Sequence, residues 1–154
     1  MGIGRGYGGP IPPDDARAEP GDDASAVLAA NAAFYEAFEA RDLDRMSEAW
    51  EHSDRVTCTH PGWTVLRGWG PVAGSWFALF SGPQRLQFIL TDAVVAVHGD
   101  AAWVTVDENL LDGDRVGGTV TALNLFARGE DGRWLLVAHH GSPVVDRNPN
   151  ISDE

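Results

Sequence analysis

Apolar residues begin to recur at helical spacing after Asp23. Val27, Leu28, Phe34, Tyr35 and Phe38 predict a helix that Ser25 can cap and that ends near Ala40. A second, short helix is expected over Leu43 to Trp50, with Leu43, Met46 and Trp50 on one face and Asp42 and Asp44 at its positive end. The period then changes to two. From Arg55 to His60, Val56, Cys58 and His60 share one face of a strand, and Pro61-Gly62 stops it. A third helix is predicted over Pro71 to Phe80, ended by Ser81-Gly82-Pro83. Strands follow at Leu86–His98, Ala101–Leu111, Gly118–Arg128 and Arg133–Ser142, joined by turns at Gly99-Asp100 and Glu130-Asp131-Gly132. Short connections make neighbours antiparallel, and helices followed by strands give an α+β domain.

The segments outside this pattern lack core-forming residues. Residues 1–23 are rich in Gly, Pro and Asp and are read as a disordered tail. The end of the chain, from Asp146 to Glu154, is polar and is read as a flexible tail, which leaves one domain over residues 24–145. The net charge of −12 argues against a nucleic-acid backbone or an anionic membrane as partner. No apolar run reaches the roughly 18 residues of a membrane span. Met1 to Pro13 lacks the apolar stretch of a signal peptide, and the single cysteine, Cys58, forms no internal disulfide, so a cytoplasmic protein is expected.

Strand alternation selects the polar groups that face inward. Trp134, Leu136, Ala138 and His140 share one face of the last strand, with Leu135, Val137 and His139 on the other. By the same reasoning Glu108 joins Val104 and Val106, and Asn124 joins Ala122 and Phe126. The inward polar set is therefore His60, Glu108, Asn124 and His140. His60 can act as a general base near neutrality. Asn124 can donate to a developing oxyanion. Glu108 can be an acid of raised pKa or the partner of a histidine. The alternatives are a core histidine bonded to backbone or water for His60, an amide bracing the sheet for Asn124, and a partly solvated rim carboxylate for Glu108. Trp63, Trp69 and Trp76 flank the turn and helix after His60 and suit an aromatic wall for a flat ligand, or core packing. Adjacent strand residues such as His139 and His140 point to opposite faces and cannot chelate one ion, and no metal-ligand spacing or phosphate loop is present. No metal or cofactor is expected.

Several local motifs, in this order, resemble the NTF2-like superfamily, in particular its SnoaL-like and ketosteroid-isomerase-like domains. They are Ala40-Arg41-Asp42-Leu43-Asp44, Val56-Thr57-Cys58-Thr59-His60-Pro61, Leu66-Arg67-Gly68, Asn124-Leu125-Phe126, and Gly132-Arg133-Trp134 leading to His139-His140-Gly141-Ser142-Pro143. The resemblance implies a cone-shaped barrel with an apolar pocket, often dimeric. It also implies that His60, before Pro61, occupies the position of the isomerases' general base. Asn124 then occupies that of their acidic oxyanion donor, and Phe34 that of their tyrosine donor, with Tyr35 beside it. The base has changed type and the acid has become an amide, so steroid isomerisation is not expected.

Two functional readings follow. In the first, the domain holds an apolar carbonyl compound against His60, with Phe34, Tyr35, Trp63, Trp69 and Trp76 as ligand-binding residues. It then acts by cofactor-independent proton transfer in an isomerisation, cyclisation or hydration. In the second, it is a non-enzymatic association module. Apolar groups on both faces of the strands, Ile89 with Leu90 and Leu135 with Leu136, lead to an expected homodimer through the sheet.

Overall fold

The computed structural model describes residues 20–112 and 114–145. The expectations for residues 1–19 and 146–154 lie outside them. Three helices are α1 (Pro20–Ala40), α2 (Leu43–Ala49) and α3 (Trp69–Ser81). Six strands are β1 (Thr57–Thr59), β2 (Leu66–Arg67), β3 (Gln87–His98), β4 (Ala101–Asp112), β5 (Arg115–Arg128) and β6 (Trp134–Pro143). They form one curved, unclosed sheet in the order β2-β1-β6-β5-β4-β3. All pairs are antiparallel except β1 with β6, which is parallel.

Helix α1 begins five residues before the expected Ser25 cap. Pro20 suits a first turn, and Asp22 and Asp23 meet the positive end of the helix there. Asp23 also pairs with Arg128, whose guanidinium reaches Asp100 and lies 5.0 Å from the Trp134 ring. The start of the helix is thereby tied to the β3–β4 turn and to β5. At its other end, Arg41 takes a left-handed conformation (φ 56). Its side chain donates to the carbonyls of Phe80 and Gly82 at the end of α3. Asp42 then caps α2 by accepting from the Arg45 N–H.

The helices cover one face of the sheet. Val27, Phe34, Ala37 and Phe38 of α1, and Val72, Trp76 and Phe80 of α3, pack against Val104, Val106, Ala122, Phe126 and Leu136. The alternation expected for β1, β4 and β5 is observed: Val56, Cys58, His60, Glu108 and Asn124 are all buried.

The last strand departs from expectation. Leu125 pairs with Ala138 while its neighbour Phe126 pairs with Leu136, so Val137 is an extra residue in β6. A bulge of this kind reverses the faces beyond it. Trp134 and Leu136 point inward as expected. Past the bulge, His139 is buried and His140 is exposed, the opposite of the sequence-based assignment.

Candidate active site on the inner face of the sheet

The polar residues of the inner face come from six elements. His60 closes the β1 segment and enters a tight turn in which the Trp63 N–H donates to the His60 carbonyl at 2.8 Å. Gly62 has φ 85 there, a conformation that glycine adopts without strain. Ser75 projects from α3, Asn31 and Tyr35 from α1, and Glu108, Asn124 and His139 from the sheet. All are buried.

Hydrogen-bond chemistry assigns the direction of each bond. Tyr35 donates its single proton to Glu108 Oε2 at 2.5 Å. Its oxygen must then accept from Asn124, so the amide presents Nδ2 to it at 3.1 Å. The other Nδ2 hydrogen goes to Asn31 Oδ1 at 2.8 Å. Asn124 Oδ1 therefore faces His139 Nδ1 at 2.5 Å, and Nδ1 must carry the ring proton. A directed chain runs from His139 through Asn124 and Tyr35 to Glu108.

His60 is oriented separately. Ser75 gives its hydroxyl proton to the Val72 carbonyl at 2.7 Å, so it accepts from His60 Nε2 at 2.9 Å. This places the proton of a neutral His60 on Nε2 and leaves Nδ1 bare. Cys58 Sγ lies 3.7 Å from the same Nε2.

Burial dominates the electrostatics. Desolvation pushes His60 down to about 4 and His139 down to about 3, the latter helped by the neighbouring His60 and His140, so both rings are neutral at pH 7. Desolvation raises Glu108 to about 7, against the stabilising Tyr35 bond. Tyr35 is raised by its burial and by the Glu108 charge, and burial pushes the Cys58 thiol up to about 12, which suits a structural thiol.

The aromatic candidates divide. Trp76 stands perpendicular to His60, with ring centroids 4.8 Å apart. Trp63, 44% exposed, sets its edge against the same imidazole at 4.8 Å. Phe34 packs on His139 at 5.0 Å. Trp69 lies apart from this cluster and stacks on His52 at 4.3 Å. His140 lies on the outer face, opposite Leu123. Among the described residues, no group of three or more His, Cys, Asp or Glu side chains is placed to hold a metal ion.

Three site residues escaped the sequence reading: Asn31, Ser75 and His139. Asn31 had a legible signal, since it interrupts the apolar stripe Val27, Phe34, Phe38 at helical spacing. Ser75 sits in the same way between Val72 and Trp76. His139 had none, because its direction depends on the bulge. Asn124, expected to polarise a ligand carbonyl, has both amide hydrogens engaged within the protein. Tyr35, expected as a ligand-binding residue beside the donor position, is the phenol that enters the network.

Comparison with known proteins agrees with this architecture. A search of curated proteins finds no match. Among solved structures, a "putative dehydratase from the NTF2-like family" of Streptomyces avermitilis is 42% identical, with a TM-score of 0.75 over 83% of this chain and 100% of that one. A "putative calcium/calmodulin-dependent protein kinase type II association domain" of Thiobacillus denitrificans is 36% identical, with a TM-score of 0.71 over 77% of this chain and 94% of that one. A "putative ketosteroid isomerase" of Shewanella frigidimarina, 17% identical over 76% of this chain and 94% of that one with a TM-score of 0.66, shares the fold. The SnoaL-like domain profile matches residues 27–146, and the chain thus belongs to the SnoaL-like family of the NTF2-like superfamily.

Proposed function

We propose that the inner face of the sheet binds an apolar carbonyl compound against His60 and moves a proton on it without a cofactor. The observation that carries this reading is the buried polar chain beside His60. A core of aromatic and aliphatic side chains gains little stability from enclosing two imidazoles, a carboxyl, a phenol and two amides. Perturbed ionisable groups gathered in this way suit proton transfer.

The chemistry follows from the protonation states. His60 Nδ1 takes a proton from a carbon next to the carbonyl, and the C–H electron pair moves toward the carbonyl oxygen. The imidazolium then returns the proton to a second carbon, an isomerisation, or to a departing hydroxyl, a dehydration. Either step restores neutral His60. A base held near 4 is effective only toward an activated carbon, such as one flanked by two electron-withdrawing groups. The dehydratase name of the Streptomyces avermitilis relative runs in the same direction.

A panel of apolar cyclic ketones and hydroxy ketones, assayed for turnover with wild type and His60→Ala, tests the mechanism. The variant is expected to lose at least about a hundredfold in rate. An unchanged rate would remove His60 from the chemistry.

A second reading concerns the other face. Val94, Trp103 and Leu123 stay exposed on the outside of β3, β4 and β5, and the Thiobacillus denitrificans relative is named for association. We read this face as the seat of a second copy of the chain. Association there leaves the inner face free, so the two readings are compatible.

A further inference from the structure

His60 is held by a group that carries no charge. Its Nε2 donates to Ser75 Oγ at 2.9 Å, and the Ser75 hydroxyl donates to the Val72 carbonyl at 2.7 Å. A carbonyl oxygen only accepts, so the hydroxyl proton points away from the ring and Ser75 Oγ meets Nε2 with a lone pair. The titratable groups near the ring are the Cys58 thiol, 3.7 Å from the same Nε2, and His139, whose ring centroid is 6.5 Å away. Among the described residues, no carboxylate bonds to His60.

Helix stability does not account for Ser75. The inward stripe of α3 is otherwise apolar, with Val72, Trp76 and Phe80 buried. A hydroxyl that bonds back to a carbonyl of its own helix slightly destabilises the helix and tends to bend it. Ser75 is 6% exposed, so its oxygen also gives up water. Its position against His60 is set by bonds elsewhere. The Gly68 N–H donates to the Val56 carbonyl at 2.8 Å, and the Trp69 N–H to the Ser53 carbonyl at 3.1 Å. These two bonds tie the start of α3 to the segment that leads through β1 to His60. Helix and strand therefore hold the hydroxyl and the imidazole in register.

We infer that Ser75 is the positioning residue of His60: backed by the Val72 carbonyl, it holds the imidazole as the Nε2–H tautomer and makes Nδ1 the nitrogen that exchanges protons. It performs the orienting task that a carboxylate performs in a catalytic triad, with a helix carbonyl as the terminal acceptor. The imidazolium gains a neutral bond in place of an ion pair, which keeps the base weak. The catalytic role of Ser75 rests on the proton-transfer reading of the inner face; the tautomer does not.

Imidazole nitrogen NMR on the full chain, with His60→Ala to identify the His60 signals, reads the tautomer directly. Wild type at pH 7 should show a protonated Nε2 and a bare Nδ1. Ser75→Ala should give a mixture of the two tautomers, and Ser75→Thr, which keeps the hydroxyl, should restore the single form. Proton abstraction is read with 2-tetralone in D2O. His60 takes a hydrogen from C1, the carbon between ring and carbonyl, exchanges it with solvent and returns a deuteron to the same carbon. Ser75→Ala should lower the maximal protein-dependent exchange rate about tenfold with little change in the half-saturating concentration, and Ser75→Thr should recover it. Should Ser75→Ala fail to fold, the wild-type spectrum and Ser75→Thr decide. A proton on Nδ1 of wild-type His60, or an unchanged tautomer in folded Ser75→Ala, overturns the inference and leaves the proton-transfer reading standing. The expected tautomers without any acceleration of exchange by wild type overturn that reading, and with it the catalytic role of Ser75.

Discussion

The Tyr35 hydroxyl donates to Glu108 across 2.5 Å, joining the first helix to the fourth strand through residues 73 positions apart. That bond orients everything behind it. With the phenol proton committed, Asn124 must offer its nitrogen to Tyr35 and its oxygen to His139. The polar chain has one direction as a result.

Tyr35→Phe should therefore damage more than one bond. It leaves an Asn124 N–H without its acceptor and removes the bond that holds Glu108 down. A loss of about 1–3 kcal/mol is expected in denaturant unfolding, together with a Glu108 titration displaced further upward. A fully stable variant would show that the chain is not a cooperating unit.

Glu108→Gln should do the opposite in alkaline solution. The amide oxygen still accepts from Tyr35, and the charge that burial disfavours is gone. Relative to wild type, the variant should gain on the order of 1–3 kcal/mol above about pH 8 while losing any turnover that needs the carboxyl. Equal stability of the two proteins there would argue against a buried carboxylate.

Acid should destabilise the domain through its histidines. His60 and His139 titrate near 4 and 3, below their ordinary 6.5, so from about pH 6.5 downward the unfolded chain binds protons that the native state excludes. Each ring removes about 1.4 kcal/mol per pH unit within its window. Glu108 works the other way, because between its ordinary 4.5 and about 7 the native state binds the extra proton and loses that advantage as pH rises. Two rings against one carboxyl leave a net loss on acidification from about pH 6.5 to 4.5 from these groups. Thermal melts across that range should show a falling midpoint, steeper in Glu108→Gln. A flat profile in both proteins would mean the imidazoles are not held neutral.

Gly141→Ala tests the support of His60. A side chain at Gly141 would meet Val120 Cγ1 at 3.1 Å and Pro61 Cγ and Cδ at 3.2 and 3.3 Å. Pro61 follows His60 in the turn, so the added methyl should displace that turn and alter the His60–Ser75 bond. The expected result is a modest stability loss of about 1 kcal/mol with a shifted His60 imidazole resonance. A stability loss with an unmoved resonance would show that the turn does not need the close approach.

The outer face gives a prediction about mass. Trp103→Glu and Leu123→Asp place charge at the centre of the exposed apolar area. Light scattering at micromolar concentration should report a dimer for wild type and a monomer for the double variant. A monomeric wild type would leave that face without its second copy.

Much of the domain was legible in local pattern. Among the described residues, the periods of two and 3.6 located all three helices and the four long strands. They also put His60, Glu108 and Asn124 on the inner face, because alternation along an unbroken strand is a property of the strand itself. Helix α1 started earlier than Ser25 suggested, since Pro20 and the acidic first turn served as its beginning.

What lay beyond the sequence depended on partners far along the chain. The bulge at Val137 arises from how β6 pairs with β5, and it alone turned His139 inward and His140 out. The bond from Asn124 to Asn31 spans 93 positions, and no local rule places those amides together. The protonation states belong to the same category, because a histidine is ordinary until packing removes its water. The sequence determined which side chains could reach the interior; only the tertiary structure decided which of them meet and which nitrogen of each imidazole is bare.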